Sequence, residues 1–292
     1  MYLGLFPPGI DPHGFWERTY GLLGALPADQ LQKIYRHSPV HVLASAHLSK
    51  GGRILDAGCG IGILSLIHPD PHCTIIGIDS AIQQIIKARE LSPGHTFEVA
   101  SLDKVPYPDQ TFDGYAAISS AELFPGGLEP VVREAYRLLK PGGRFFMASP
   151  RLQPDFFLTR RRTITFTMGS LDVVKVTAPP HPFPERGYGY WYSAGEIREI
   201  VKQTGFKTIT TTRSDLMGGL CYSHLLGRLL KNPLSQFSQQ LMEHPPGRAA
   251  SWKDRIGFAL LSEESADLGR WQPLLNLLKL AWSFWNVTEA QR

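Results

Sequence analysis

Short apolar runs alternate with amphipathic stretches through the middle of this chain, between about residues 50 and 212. A short, continuously apolar run is typical of a strand buried on both faces, and a repeat of about 3.6 residues is typical of a helix. The runs predict six strands, which begin near Ile54, Thr74, Phe97, Asp113, Arg144 and Phe206. Strands that alternate with helices predict an α/β fold with a parallel sheet covered on both faces.

The helices predicted between these strands are bounded by residues that cap or break helices. Amphipathic periodicity predicts three of them, over residues 80–90, 131–139 and 194–204. Ser193 and Glu196 have the spacing of a capping box, and Gly205 is a typical residue after a helix end. We therefore expect the third helix to begin after Ser193 and to end at Gly205.

Three stretches outside this alternation have patterns of their own. Residues 28–48 predict two helical pieces that are interrupted at Pro39. Residues 163–166 and 173–176 have the pattern of two strands, and they predict an inserted hairpin around Gly169. The last stretch, from residue 214 onward, has mostly helical spacing.

Composition limits the class of protein and its partners. The hydrophobic content of 43% is ordinary for a globular protein, and a formal charge of +4 does not by itself indicate a nucleic-acid binder. The basic cluster at residues 160–162 is either a solvated loop or a patch that binds an anion. We expect no nucleic-acid partner, and the residues indicate no particular oligomeric state.

The cysteines and the apolar segments indicate a cytoplasmic protein. Cys59, Cys73 and Cys221 lack metal-binding spacing, and their odd number suits a reducing compartment. No signal peptide is visible at the start of the sequence, and the most apolar late stretch, residues 273–285, is too short to span a bilayer. We expect no stable membrane insertion.

Three glycines spaced two apart follow the first predicted strand, in the run Asp-Ala-Gly-Cys-Gly-Ile-Gly at residues 56–62. Glycines let a ligand lie against bare main chain, and N–H groups at the following helix start favour a carboxylate or phosphate. Asp79 ends the next strand about twenty residues after Gly58, the separation at which an acid reaches a ribose hydroxyl. The spacing G-x-G-x-G differs from the G-x-G-x-x-G of dinucleotide sites.

This acid-preceded glycine loop resembles the first motif of the class I S-adenosylmethionine-dependent methyltransferases. Residues 139–144, Leu-Lys-Pro-Gly-Gly-Arg, are similar to the segment before that family's fifth strand. The resemblance covers roughly residues 50–212 and is closest to the small-molecule branch that includes the ubiquinone/menaquinone-biosynthesis enzymes. It implies a Rossmann-like, mostly parallel seven-stranded sheet and S-adenosyl-L-methionine as the cofactor.

The resemblance also divides the chain into parts. They are an N-terminal helical lid (1–50), a cofactor-binding core (51–213) with an insertion (151–187), and a mainly helical C-terminal extension (214–292). Segments before the first strand often fold over the cofactor cleft in relatives, so the N-terminal helices are either such a lid or a simple helix packed on the sheet edge. Relatives end in an antiparallel strand, for which residues 282–288 are a candidate.

Cofactor contacts are implied for the glycine loop and for the ends of the next strands. These positions are Asp56, Gly58, Cys59, Gly60, Gly62, Asp79, Ser80, Ser101, Leu102, Asp103 and Ser119. Cys59 is given only a packing role. In relatives an acid contacts the adenine amino group at the position of Ser101. Either Ser101 or the shifted Asp103 takes this role, or apolar packing and main-chain N–H groups hold the adenine.

Candidates for proton transfer are Glu122 and His181. Glu122 follows the fourth predicted strand, at the edge where open α/β sheets place ligands, and acts as a base or orients substrate. Its alternatives are a helix cap and a salt-bridged carboxylate. His181 lies in the insertion beside an aromatic run, and its alternative is an exposed loop histidine.

Aromatic residues are the candidates for the acceptor pocket. Tyr20, Tyr188, Tyr190 and Tyr192 would form an apolar wall for a flat or prenyl-like acceptor, with core or lid packing as the alternative. His37 and His41 are four residues apart, but Pro39 lies between them, and we expect no metal site.

These features predict a methyltransferase that acts on a small, largely apolar metabolite of specialised or quinone-like metabolism. The sulfonium methyl is already electrophilic, so the protein mainly positions the acceptor and excludes water. O-methylation is the first expectation and C-methylation the second. One alternative is a cyclase or isomerase that binds the cofactor without transferring its methyl group, and another is a non-enzymatic partner or regulatory module.

Overall fold

The computed structural model describes residues 2–3, 27–36, 38–49, 51–124, 126–150, 164–168, 172–176, 189–190, 192–214 and 285–292. The strands are β1 (Tyr2–Leu3), β2 (Gly52–Ala57), β3 (Cys73–Asp79), β4 (Thr96–Val99), β5 (Phe112–Ile118), β6 (Leu139–Pro150), β7 (Ile164–Met168), β8 (Asp172–Val176), β9 (Gly189–Tyr190), β10 (Lys207–Ser214) and β11 (Trp285–Gln291). The helices are α1 (Ala28–Tyr35), α2 (Pro39–Leu48), α3 (Ile63–Ile67), α4 (Ile82–Leu91), α5 (Leu128–Leu138) and α6 (Ala194–Thr204), with a 3-10 turn at Ala121–Leu123.

Seven of these strands form one sheet in the order β10-β11-β6-β5-β2-β3-β4. Strands β2 to β6 pair in parallel, and β11 runs antiparallel between β6 and β10. The sheet confirms the predicted α/β fold with a Rossmann-like, mostly parallel seven-stranded sheet. Because β2, β3, β4 and β5 are parallel, their carboxyl ends meet at one edge, which we call the carboxyl edge.

Side chains alternate between the two faces of the sheet and build a core on each. On one face, Tyr115, Phe145 and Met147 pack with apolar residues of α5 and α6. On the other, Ala116 and Phe146 pack with residues of α2 and α3. We call these the α5/α6 face and the α2 face. The two-residue alternation along each strand therefore decides which helix layer a side chain meets.

Helix α2 packs as a buried layer against one face of the sheet. Pro39 is its first residue, a position at which the missing N–H of proline is not needed. Val40, Ala44 and Leu48 are almost fully buried against the α2 face. Residues 39–48 thus pack on a face of the sheet, whereas residues 4–26 of the predicted lid lie outside the described residues.

The predicted capping box at the start of α6 is present. Ser193 Oγ accepts a hydrogen bond from the Glu196 amide at 3.2 Å, and the Glu196 carboxylate accepts one from the Ser193 amide at 2.7 Å. Gly205 ends the helix in a left-handed conformation. Local sequence therefore determines both ends of this helix.

The prediction of a mainly helical extension over 214–292 is wrong for its final residues. Trp285–Gln291 is a strand inserted into the middle of the core sheet, so the core includes this segment. It overlaps the antiparallel strand considered for residues 282–288. Residues 215–284 lie outside the described part of the chain.

Two small sheets accompany the core. β7 and β8 pair antiparallel, as the inserted hairpin predicts. β1 pairs antiparallel with β9, with Tyr2 opposite Tyr190, and β9 lies next to the 3-10 turn at Ala121–Leu123. Within the described part of the chain, no helix is long and apolar enough to cross a bilayer.

Candidate functional site

The glycine loop after β2 is tied to the end of β3 through its main chain. The amides of Gly58 and Cys59 both donate to the carbonyl of Ile78, at 2.8 and 2.9 Å, and the Gly60 amide donates to Asp79 Oδ2 at 3.0 Å. The loop therefore lies across the carboxyl edge, above the ends of β2 and β3.

Gly58 is needed because its main chain packs against Ser120. A Cβ added at Gly58 would lie 2.2 Å from Ser120 Cβ, a distance that no pair of carbon atoms tolerates. The Ser120 hydroxyl donates to the carbonyl of Ala57 at 2.6 Å and holds this contact in place. Ser120 was not among the predicted site residues, because this contact depends on the tertiary packing of two separate strand ends.

Among the described residues, little lies above the main chain of Gly60. Its φ of +53° is a left-handed conformation, and the nearest atom to an added Cβ would be Gln84 Oε1 at 3.8 Å. A main-chain surface with free space above it is what the resemblance predicts for the cofactor's amino-acid end. This space is where a larger residue would project.

Asp79 links the loop to the next helix. While Oδ2 accepts from Gly60, Oδ1 accepts from the Ala81 amide at 2.9 Å, just before α4 begins. An ionised carboxylate has about four acceptor positions, so these contacts orient Asp79 without using its full capacity. Ser80, between them, is exposed.

Asp56 is a second acid at this edge and is only 4% exposed. Burial, together with the negative charge of Asp79, raises the pKa of Asp56 to about 7. A buried acid with such a pKa favours a positively charged neighbour, because a cation would offset both effects. The cofactor of the resemblance carries an ammonium group and a sulfonium.

Cys59 turns away from this edge. Its side chain packs with Ile85, Ala88 and Phe97 between the sheet and α4. Burial, with the charges of Asp56 and Asp79, raises the pKa of the thiol well above its ordinary range. Only the main chain of Cys59 thus remains at the loop surface.

The predicted adenine residues form one turn after β4. The Ser101 hydroxyl donates to Asp103 Oδ1, and Leu102 between them packs on the α5/α6 face. The Ala100 amide donates to the carbonyl of Asp79 at 3.1 Å, which places this turn beside the acid predicted for the ribose. Ser101 and Asp103, the two alternatives of the sequence, therefore act as a hydrogen-bonded pair.

Arg137 of α5 anchors the chain that follows this turn. Its guanidinium donates to the carboxylates of Glu134 and Asp109 and to the carbonyls of Val105 and Tyr107. Glu134 in turn accepts from the Val105 amide at 2.8 Å. These bonds hold the segment between β4 and β5 against α5.

Glu122 is buried in the 3-10 turn after β5, with 3% of its surface exposed. Neither carboxylate oxygen makes a well-formed hydrogen bond to a described residue. Burial raises its pKa to about 8, and the Glu122 and Ser120 amides and the Ser119 hydroxyl lie close enough to offset this in part. The nearby amides are consistent with the helix cap considered as an alternative, whereas no ion pair to Glu122 is present among the described residues. Ser119 itself has a left-handed φ of +54° and donates its amide to the Ala148 carbonyl at 2.8 Å.

The aromatic candidates are placed only in part. The Tyr192 hydroxyl accepts from the Leu128 amide at 2.9 Å and so satisfies the first amide of α5. Tyr190 lies in β9, next to the turn that carries Glu122. Tyr20, Tyr188 and His181 lie outside the described residues, and so does His37.

His41 makes local contacts at the start of α2. Its Nδ1 is hydrogen-bonded to Ser38 Oγ at 2.9 Å, and its ring contacts Tyr35 edge-on. Over the residues described by the structure, no three His, Cys, Asp or Glu side chains are arranged to hold a metal ion.

The parallel sheet, the loop at Gly60 and the acid at Asp79 define a Rossmann-like domain of the class I methyltransferase type. Residues 55–147 match the family described as "Methyltransferase domain". The match lies within the segment over which the resemblance was predicted.

Two relatives match the same part of the chain. The ubiquinone/menaquinone biosynthesis C-methyltransferase of Bartonella bacilliformis is 31% identical over 124 residues, which are 39% of this chain and 47% of the relative. The methyltransferase phqN of Penicillium fellutanum is 37% identical over 122 residues, 39% of this chain and 36% of the relative. The chain therefore spans half or less of the length of these curated relatives.

A solved structure shares the fold. Phosphoethanolamine N-methyltransferase 2 of Haemonchus contortus, in complex with S-adenosyl-L-methionine, superposes with a TM-score of 0.55 at 15% identity. The superposition covers 98% of this chain and 61% of that one. At this identity the similarity shows the architecture alone.

Proposed function

We propose that this protein binds S-adenosyl-L-methionine at the carboxyl edge and transfers its methyl group to a small, largely apolar metabolite. The proposal depends chiefly on one observation: the Gly60 cradle and the buried carboxylate of Glu122 lie at the same edge, joined through the contact of Gly58 with Ser120. The proposal includes a cytoplasmic location, which suits the reduced state of Cys59 and Cys73.

The residues at the cradle suit the chemical groups of this cofactor. The main chain at Gly60 would hold the amino-acid end, Asp56 would face its ammonium, and Asp79 would accept from the ribose hydroxyls. The Ser101–Asp103 pair would contact the adenine amino group. When bound, the cofactor supplies an electrophilic methyl group with a neutral leaving group, so this chain's residues need only orient the acceptor and exclude water.

Glu122 would take the proton of the acceptor. A buried carboxylate with a pKa of about 8 is a stronger base than an exposed glutamate, which is the property needed to deprotonate a hydroxyl near neutral pH. The same group would remove the proton released after transfer to carbon. We place O-methylation first because it requires only this one transfer.

Isothermal calorimetry and a labelled-cofactor assay test the proposal together. We expect the protein to bind S-adenosylmethionine with micromolar affinity and to label one member of a panel of phenols, alcohols and carbon acids. In Glu122→Gln, cofactor binding should persist while transfer falls by about 100-fold. Glu129→Gln, an exposed position on α5, is the matched control and should change neither.

Two results would contradict the proposal or its mechanism. Absence of cofactor binding would remove the function altogether. Full transfer activity in Glu122→Gln would remove the role of Glu122 as a base. A product of unchanged mass would instead favour the cyclase or isomerase alternative, since methylation adds one methylene to the mass.

A further inference from the structure

The α5/α6 face of the sheet changes from apolar to polar where β5, β6 and β11 reach the carboxyl edge. Ser149 of β6 is paired directly with Asn286 of β11. Ser119, which follows β5, donates its amide to the carbonyl of Ala148, the residue before Ser149. Residues two positions earlier on β5 and β6, Ala117 and Met147, are apolar core. We call Ser119, Ser149 and Asn286 the polar row.

Ser149 and Asn286 of the polar row are buried, and Ser119 is half-buried beside Glu122. Ser149 is 1% exposed and Asn286 is 3% exposed. Thr288, one rung deeper on β11 and opposite Met147, is fully buried. The hydroxyls of Ser149 and Thr288 have no hydrogen-bond partner within the described part of the chain. A buried hydroxyl without a partner costs about 1–3 kcal/mol, so a fold that keeps two of them in adjacent rungs calls for an explanation.

Tyr192 is bonded to Asn286 of the row. Asn286 Nδ2 donates to the Tyr192 carbonyl at 3.2 Å, and the Tyr192 hydroxyl accepts from the Leu128 amide. These two bonds fix the position of Tyr192 next to Asn286.

Glu122 lies at the inner end of the row. The turn that carries it lies against β6, and the Ser119 hydroxyl is near enough to lower the pKa of the Glu122 carboxyl. At the outer end, Arg213 of β10 is paired with Asn286, is half-buried and has an interaction partner of its own. The buried part of the row thus contains hydroxyls and an amide next to one carboxyl group.

We infer that the polar row is a subsite for a second, uncharged oxygen of the acceptor, a hydroxyl or carbonyl group adjacent to the accepting atom. The inference rests on the proposed function and makes its acceptor more specific: an apolar molecule with two neighbouring oxygens at one end. Neutral oxygens suit hydroxyl and amide partners, whereas a carboxylate or phosphate would be repelled by Glu122 when that group is ionised.

A matched pair of probes tests the subsite in the full-length protein. 4-Hexylcatechol carries two adjacent ring hydroxyls and para-hexylphenol carries one, and both would be titrated by calorimetry with S-adenosylhomocysteine present. We expect the diol to bind about tenfold more tightly to the natural protein. Ser149→Ala and Thr288→Val should each reduce this preference to about twofold or less, without a change in S-adenosylhomocysteine affinity.

Thr212→Val is the matched control, because Thr212 lies on the neighbouring strand β10 and is exposed. It should keep the preference of the natural protein. Equal binding of the two probes by the natural protein, or a preference that survives in both Ser149→Ala and Thr288→Val, would overturn the subsite. If the two variants only raise the melting temperature, the hydroxyls are unsatisfied core groups and the inference is wrong. Failure of S-adenosylhomocysteine to bind at all would instead contradict the proposed function.

Discussion

The amide of Gly60 donates a hydrogen bond to Oδ2 of Asp79 over 3.0 Å, which joins the loop after β2 to the tip of β3. The other oxygen of Asp79 accepts from the Ala81 amide at 2.9 Å. One carboxylate thus sets the position of the glycine loop and of the chain entering α4. A change at Asp79 is therefore expected to affect the cofactor site in two ways, through the lost ligand group and through the loop.

Asp79→Asn should reduce cofactor affinity by about 10-fold to 100-fold, because an amide nitrogen cannot accept from Gly60 or Ala81 and carries no charge. Calorimetry with S-adenosylmethionine measures this loss. Asp70→Asn is the matched control: Asp70 also accepts from a glycine amide, that of Gly51 at 3.1 Å, but precedes β3 at the opposite edge of the sheet. Equal losses in both variants would mean that the effect is general destabilisation.

Two glycines of the same loop should respond differently to alanine. Gly58→Ala would place Cβ 2.2 Å from Ser120 Cβ, and we expect it to lower the free energy of unfolding by about 3 kcal/mol or more. In Gly60→Ala, the added Cβ would meet no described atom closer than 3.8 Å. The left-handed backbone at this position is then the main cost to stability, and it should lower the free energy of unfolding by about 1–2 kcal/mol. The added methyl of Gly60→Ala should nevertheless reduce cofactor affinity by at least about tenfold, because it occupies the cradle.

Chemical denaturation and cofactor calorimetry on the same samples separate these effects. Gly94→Ala, where an added Cβ meets nothing within 4 Å, should change neither quantity. If Gly60→Ala binds the cofactor normally, the space above Gly60 is not the cofactor cradle.

Arg137→Lys should destabilise the protein by about 2 kcal/mol, because lysine keeps the charge but cannot make the several directed bonds of the guanidinium. Cofactor affinity should fall only severalfold, through loosening of the segment after the Ser101–Asp103 turn. Arg133→Lys is the matched control, since Arg133 forms an exposed pair with Glu129 on the same helix and should contribute less than about 0.5 kcal/mol. Similar losses in the two variants would show that the buried network adds no stability.

Local pattern was enough to predict most of this site. The loop at Gly58 and Gly60, the acid at Asp79 and the capping box at Ser193 depend on neighbours within a few residues, and they lie where the sequence places them. Likewise, each parallel strand is recognisable by itself because both of its faces are buried.

The parts that could not be predicted depend on contacts between distant segments. Asn286 reaches the site only because β11 inserts between β6 and β10, and its pairing with Ser149 depends on strand register. Glu122 was predicted at a strand end, but its burial results from the packing of the turn around it. Sequence spacing carries no information on such juxtapositions, which is why the polar row was missed.

Glu122 should also make the stability of the free protein depend on pH. Its pKa is about 8 in the folded protein against an ordinary value of 4.5, so the folded state keeps a proton that the unfolded state has lost between these pH values. The contribution of protonated Glu122 to the free energy of unfolding is fully present below about pH 4.5. It declines, by at most about 1.4 kcal/mol per pH unit, as the pH rises toward 8. Glu122→Gln lacks this loss, and its stability relative to the natural protein should increase over the same range.

The difference between the two proteins must be measured, because other buried groups act in the opposite direction. Burial lowers the pKa of His41 and of His47 to about 4, so they remove stability as the pH falls below about 6.5. The free energy of unfolding would be measured by urea titration at about pH 5.5, 7 and 8.5 for Glu122→Gln and for the natural protein. The histidine contributions are the same in both proteins and cancel in the difference. Glu129→Gln, at an exposed position of α5, is the matched control variant. A difference for Glu122→Gln that does not change with pH would mean that Glu122 ionises at its ordinary pKa, and its proposed role as a base would lose its physical foundation.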